Sequence, residues 1–491
     1  MAALAILPLL PLLFGAVIGV LAGLWRPAAA QVVAVASAGL ALVASGVGLV
    51  VVVAEGPISH ELGGWAPPIG IEYVLDPLSG YLACIIALIG LLIAIYPVHT
   101  AFDVTPPRGM PLYPLVLLLL AGLMGVVLSG DLFHLFVFLE IFAIATYALV
   151  SLGGDRAVFA SLRYLLLGTI GSGLYLLGVG FVYFSTGTLN MADVAGQLPG
   201  LAGSPTILGS MALIVIGLAL KMALFPLHVW LPDAHSYAPP GVAALLAAVQ
   251  VKAGAYALVR ILYDVYGPTF LGAEGLPVSV ALTWFGAAGI VVGSVLAIKQ
   301  TDLKRLLAYS TVAQLGYIGV GIGLATPLAL VGALLHVLNH AVMKSGLFLV
   351  AGGIISRTGL KDIPRFAGLG RTMPLTMGGF AIAALSMVGI PPTAGFFSKF
   401  YLVVGSIDAG SWAVAVIIVG SSILTMVYFM RLFEQIFVRP PAEAVVEDAT
   451  DPGPRVIGTV GVLAAAVIVI GLANAVIVGR ILLPIAERMI G

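Results

Sequence analysis

Four lysines in this chain sit where a lysine is hard to keep. Lys221, Lys252, Lys344 and Lys399 each lie inside a long apolar run, whereas Lys299, Lys304 and Lys361 lie in connections or near their ends. A lysine at mid-membrane costs roughly 2.5–3.5 kcal/mol on insertion scales, so four cost on the order of 10 kcal/mol. That rivals the net stability of a whole domain, so something must compensate. Snorkelling to an interface suits Lys344 better than Lys221 or Lys252, which have long apolar flanks on both sides. The choice of residue is itself informative. Arginine holds its proton in any protein setting, while a buried lysine can release one. The chain has fourteen arginines and seven lysines, yet the arginines stay mostly outside the apolar runs. Scarce lysines placed inside them point to proton exchange.

A counter-charge is at hand. Glu140 sits in the middle of "HLFVFLEIFAIATYALV". Paired with Lys221 it can stay ionised and keep the lysine charged; weakening that pair, or bringing Lys252 close, favours release of a proton. "LLHVLNHAVMKSGLF" puts His336, His340 and Lys344 on one helical face, four residues apart. Two histidines at that spacing can hold zinc, but no third ligand stands nearby, and a wet polar stripe is the better reading. His228, Asp233 and His235 flank one end of the Lys221 run and are candidates for a proton inlet. Ser310 and Gln314 read as polar contacts between helices.

Prolines mark two interruptions. Pro226 follows Lys221 by five residues, and Pro391 and Pro392 precede Lys399 in "GIPPTAGFFSKF". An interrupted helix frees backbone groups that are tolerable in a membrane only beside a wet cavity or under protein cover. The lysine precedes the proline in the first case and follows it in the second, a difference the sequence leaves unexplained.

The elements that must hold these groups follow from composition. The chain has 491 residues, 61% hydrophobic and 9% charged, with a formal net charge of zero. Its length is therefore taken up by membrane spans rather than by globular domains, and no charge argues for nucleic acid. One cysteine, Cys84, excludes an internal disulfide and a cysteine-based cluster. No sequence signal for a cofactor stands out. Fourteen apolar runs are long enough to span, from 3–24 to 456–482, with the charged ones at 132–151, 206–230, 241–263, 327–355 and 374–404. The reading is an all-α polytopic membrane protein, since the alternation of a lipid-facing barrel is missing. "RPAAAQ" near residue 30 resembles a leader cleavage site, but the preceding apolar run is too long, so a retained first helix is expected. Arg26, Arg108, Arg156, Lys304, Arg305, Arg357, Lys361, Arg365, Arg371, Arg439 and Arg455 all fall in odd-numbered connections. Those connections are expected to be cytoplasmic and both termini to lie on the other side.

Five stretches carry a resemblance: "FLEIFAIATYALVS", "ALKMALFPLHVWLPDAHSYAPPGVAALLAAVQVKAGAYALVR", "KRLLAYSTVAQLGY", "LNHAVMKSGLFLVAG" and "GIPPTAGFFSKFYL". They resemble the antiporter-like subunits shared by Mrp multisubunit cation/proton antiporters and respiratory complex I, over roughly residues 70 to 435. The Mrp D type is the more similar branch: Lys399 departs from the complex I paralogue that carries glutamate there, and the long C-terminal extension of other members is missing. The resemblance implies about fourteen helices, with two inverted five-helix repeats at 112–263 and 278–437, three helices before them (1–97), one after (456–491), and broken helices seven and twelve. It also implies a buried polar axis on which Glu140, Lys221, Lys252 and Lys399 carry protons with His336, His340 and Lys344. The implied setting is a prokaryotic inner or plasma membrane. The implied partners are other membrane subunits, with protons and a monovalent cation such as Na+ exchanged. The competing readings are a pumping subunit of a quinone oxidoreductase and a structural scaffold whose charges only hold helices together.

Overall fold

The computed structural model describes residues 2–97, 111–271, 276–441 and 443–490. Arg108, one of the residues used above to orient the chain, lies outside them. The described residues are almost entirely helical. Eleven helices are long and apolar enough to cross a membrane, and three shorter apolar helices bring the number to the expected fourteen. In chain order these are α1 (Leu10–Trp25), α2 (Pro27–Glu55), α3 (Pro77–Ile95), α4 (Leu112–Leu128), α5 (Leu132–Ser151), α6 (Asp155–Thr186) and α7 (Pro205–Met222, continued by Leu231–Tyr237). Then come α8 (Pro240–Tyr266), α9 (Val278–Ile298), α10 (Leu303–Gly323) and α11 (Pro327–Thr358). The last are α12 (Pro374–Val388, continued by Ala394–Asp408), α13 (Trp412–Val438), α14 (Pro454–Leu472) and a terminal α15 (Leu483–Ile490).

Local chemistry sets the boundaries. Pro27, Pro77, Pro205, Pro240, Pro327, Pro374 and Pro454 each open a helix, where a missing N–H has no partner to lose. Asp76, Asp131, Asp302 and Thr326 cap the helices that follow them, each accepting from a first-turn N–H. A small antiparallel hairpin, β1 (Ile58–Glu61) and β2 (Glu72–Leu75), links α2 to α3. The connector between α13 and α14 is docked: Asp451 accepts from the backbone of Leu375 and Thr376 and so caps α12.

The spans sort into an inner and an outer set. The apolar windows of α8, α10 and α11 are 100%, 94% and 94% buried, against 33% for α2 and 39% for α6, α13 and α14. The helices that carry Lys252 and Lys344 are thus enclosed by protein on all sides, and the outer helices are left to face lipid. Helices α4–α8 and α9–α13 form two five-helix units, each interrupted in its fourth helix. Five spans per unit return the chain to the opposite side, so the second unit is inverted. Close crossings need small residues. A Cβ on Gly217 of α7 would lie 2.5 Å from the carbonyl of Gly171 on α6, and one on Gly316 of α10 2.5 Å from that of Gly286 on α9. Replacing Gly217 with valine should therefore destabilise the folded protein by about 2 kcal/mol, read as a lower thermal midpoint in detergent. Gly173, whose Cβ position is open, is the control.

Candidate functional site

Both interruptions fall where prolines predicted them, and they explain the order of lysine and proline. α7 stops at Met222 because Ala223 turns into the left-handed region (φ 58°), and helix resumes only at Leu231. Lys221 occupies the last turn of this half-helix, at the negative end of its dipole. In α12 the first half ends at Val388 and Gly389 turns the chain (φ 94°). Lys399 comes from the second half but reaches back to donate to the carbonyls of Met387 (3.0 Å) and Val388 (3.1 Å) and to Ser422 (3.1 Å). In both helices a lysine is therefore tied to the carbonyl end of the first half, Lys221 by its place in the last turn and Lys399 by direct bonds. The prolines themselves face outward. Pro226, Pro391 and Pro392 are exposed, and Pro226 lines an apolar groove of about 390 Å³ with Phe225, Leu227 and Phe285. Of the two settings expected for the breaks, protein cover is the one seen: the freed carbonyls are satisfied inward by Lys399 and by Trp230, whose indole donates to Leu220 (3.1 Å).

The structure brings most of the predicted residues onto one line. Glu140 of α5 and Lys221 pair at 3.4 Å, Ser172 of α6 also donates to Glu140, and Lys221 lies over the Phe142 ring. Lys221 is 1% exposed, but the Glu140 side chain is 29% exposed, on the outer face of α5 with Phe133, Val137 and Ile144. Between this pair and α8, Tyr164 stacks on Trp230 at 4.0 Å and accepts from Gln250 (2.6 Å). Two residues on, Lys252 touches the Ala247 carbonyl and His340 Nδ1 (2.5 Å). The Leu246–Gln250 segment before it is a π-helical turn, an irregularity often found at functional positions. His340 stacks on His336 at 5.9 Å, and His336 Nδ1 meets Ser398 (2.9 Å), the neighbour of Lys399. Lys399 in turn lies over the Tyr317 ring at 5.1 Å.

Lys344 branches from this line. It is fully buried and donates to the Leu307 carbonyl (2.7 Å) and to Ser310 (2.5 Å), so it does not snorkel, and Ser310 is a site residue rather than a simple packing contact. His235 is fully buried, and it lies in the electrostatic reach of Lys344, Lys252 and Lys304. Neither of its ring nitrogens has a partner, and the same holds for Nε2 of His336 and His340. Such buried nitrogens are positions that water can bond. The three inlet candidates separate. His235 joins the axis; His228 stacks on Phe225 beside the break; Asp233 faces out, paired with Arg163 (2.6 Å) and Arg305 (3.7 Å). At the basic end of the bundle, a cavity of about 530 Å³ is lined by Arg156, Tyr237, Ala238, Lys304, Arg305 and Lys361, among others. Lys304, expected to lie in a connection, is buried and holds the Ala238 carbonyl, three residues from His235. Among the described residues, no group of three or more His, Cys, Asp or Glu is placed to hold a metal.

Residues 129–425, which span this axis from Glu140 to Lys399, match the family described as "NADH:quinone oxidoreductase/Mrp antiporter, TM". The chain belongs to this family. Among relatives, NADH-quinone oxidoreductase subunit N of Desulforudis audaxviator is 48% identical over 91% of both chains. The D subunit of the Na(+)/H(+) antiporter of Alkalihalophilus pseudofirmus is 34% identical over 76% of this chain and 74% of its own. A chain in the structure of the Mrp complex from Dietzia sp. DQ12-45-1b superposes with a TM-score of 0.88 at 28% identity, covering 99% of this chain and 97% of that one. The protein is thus a polytopic membrane protein of the antiporter-like subunit family, with relatives in both Mrp and oxidoreductase assemblies.

The Glu140–Lys221 pair gives a thermodynamic test. Glu140→Gln leaves a buried ammonium unpaired and should lower stability by about 2 kcal/mol, moderated by the partial exposure of Glu140. Adding Lys221→Met should restore much of that loss. Thermal melts of the single and double variants in detergent measure both.

Proposed function

We propose that this chain is the proton-translocating subunit of a multisubunit monovalent cation/proton antiporter, with Na+ the cation exchanged by the whole assembly. The observation that carries the reading is the set of polar side chains gathered at the buried centre: the Glu140–Lys221 pair, the Tyr164–Gln250 contact, Lys252 on His340, His336 on Ser398, and Lys399. A fixed structural charge needs no such set, and ammoniums held against carbonyls have a proton to give and a stable resting place. Lys344 and His235 form the inlet branch, with the basic cavity as its aqueous mouth; His228 and Asp233 take no direct part. The cavity sets Arg156, Lys304, Arg305 and Lys361 against Asp155 and Asp302, a net basic lining that favours water over a metal cation, which is assigned to another part of the assembly.

Residues 112–263 and 278–437 act as the two transport units. The basic end is cytoplasmic, both termini lie outside, and the membrane is the prokaryotic plasma membrane. The chain works as a transporter subunit, not as an enzyme in itself. Its neighbours include a membrane protein that covers the Glu140 flank of α5, because a carboxylate a third open at mid-depth is costly against lipid.

A second reading is favoured by the 48% identity to a chain named NADH-quinone oxidoreductase subunit N. In that reading the same axis is driven by electron transfer in partner subunits. Purifying the intact complex separates the two: flavin and iron–sulfur absorbance supports the electron-driven assembly, and their lack together with Na+-dependent proton exchange supports the antiporter. For the axis itself, Lys221→Ala and Glu140→Gln should each reduce proton transport in everted vesicles to a small fraction of wild type, at equal assembly. Full transport in both variants would overturn the reading. Transport retained in a Glu140→Gln/Lys221→Met double variant would return the scaffold interpretation.

A further inference from the structure

Two turns beyond Lys252 on α8 lies a charge cluster that the proton axis does not use. Arg260 is buried and donates to Asp76 through both terminal nitrogens (2.7 and 2.8 Å) and to Asp264 (2.5 Å). It also donates to the Tyr256 hydroxyl (3.1 and 2.9 Å), which itself donates to the Val127 carbonyl of α4 (2.6 Å). Arg488 of α15 adds an outer layer, reaching Asp76 (3.4 Å) and Asp264 (3.5 Å). Asp76 is 2% exposed and caps α3 through Ser79. The start of α3, the end of α4, the end of α8 and α15 are thus tied together at one point, at the end of the bundle away from the basic cavity.

Lys252, Tyr256 and Arg260 fall at i, i+4 and i+8, one column on α8. Next to Lys252 and Tyr256 is a cavity of about 10 Å³, otherwise walled by apolar side chains that include Leu82, Ile318, Leu334 and Val337. It has room for about one water. Below it the column meets the Arg260 cluster, in a second π-helical segment over Arg260–Tyr266. An arginine held by two carboxylates, with every polar face bonded, leaves no room for a chain of waters and offers no proton, since guanidinium does not release one.

We infer that Asp76, Arg260, Asp264 and Arg488 form an ionic seal that closes the far end of the column beneath Lys252, so that a proton on Lys252 can leave only sideways along the axis toward His340 and Lys399. The inference rests on the proton-carrying role of the axis proposed above. The seal keeps its charge at working pH. Burial by itself would raise the pKa of Asp76, but the Arg260 guanidinium, the Ser79 N–H and Arg488 outweigh it and hold the carboxyl well below the usual carboxylate range. The positions also make sense of charge placement. Arg260 is deep in the protein yet beyond the lysine line, and the two aspartates balance it and Arg488.

The test is proton tightness. The intact complex is reconstituted in liposomes containing a pH dye, and a pH step is imposed without Na+ and without any redox substrate. Arg260→Gln, and separately Asp76→Asn, should raise passive proton influx several-fold over wild type at equal assembly. Arg488→Gln, on the half-exposed outer layer, should give a smaller rise and serves where the buried variants fail to assemble. Adding Lys252→Met to Arg260→Gln should return the influx to the wild-type level. Variants that assemble and stay proton-tight would overturn the seal while leaving the axis to be judged by Glu140→Gln and Lys221→Ala. A leak that persists with Lys252→Met would also overturn it, because the opened route would then bypass Lys252.

Discussion

An α-helix cut in mid-membrane presents carbonyl groups with no N–H to receive, in a medium that offers none. This constraint organises the molecule. At the α12 cut the partner is the Lys399 ammonium; at the α7 cut it is the Trp230 indole, with Lys221 in the last turn held by Glu140. At α12 the carbonyl end compensates Lys399 for lost water, and Lys399 compensates the carbonyl end for lost helix. Neither feature would be stable alone. The tight glycine crossings and the enclosing outer helices keep this exchange away from acyl chains.

The two halves solve the problem with different electrostatics. In the first, Glu140 supplies a full counter-charge, so Lys221 is part of an ion pair. In the second, Lys399 has only dipoles: two carbonyls, a serine hydroxyl and the face of Tyr317. Lys252 stands between them, and both it and Lys344 on its side branch rest on carbonyls, a histidine nitrogen or a hydroxyl. The line thus grades from an ionic to a purely dipolar environment, and charge on one lysine is felt by the next through a region of low polarizability.

Much of this was readable in the residues. Apolar run lengths fixed the helix count, and out-of-place lysines marked the axis because burial makes their presence costly. Prolines marked the interruptions. What stayed hidden has a common cause: contacts distant in sequence carry no local signal. Ser310 looks like any helix-packing serine until Lys344 is seen on it, and Gln250 with Tyr164 has no pattern to betray their contact. Lys304 sits where a solvated residue belongs and is nonetheless buried. Arg260 is masked by its nearness to a helix end, where arginine is common, and Asp76 by its ordinary role as a cap. The outward orientation of the prolines is not legible because a break in sequence says where backbone is freed, not which side it faces.

The partly open carboxylate on the α5 flank has a consequence for the life of the protein in a cell. A copy made without its neighbours would have a charged group and a row of aromatic and branched side chains on one wall, facing lipid that cannot solvate the charge. Such an orphan is less stable than the docked chain and is the form that membrane quality-control proteases recognise. The amount of this protein would then follow the supply of its neighbour rather than its own rate of synthesis, and stoichiometry would be enforced by degradation of the surplus.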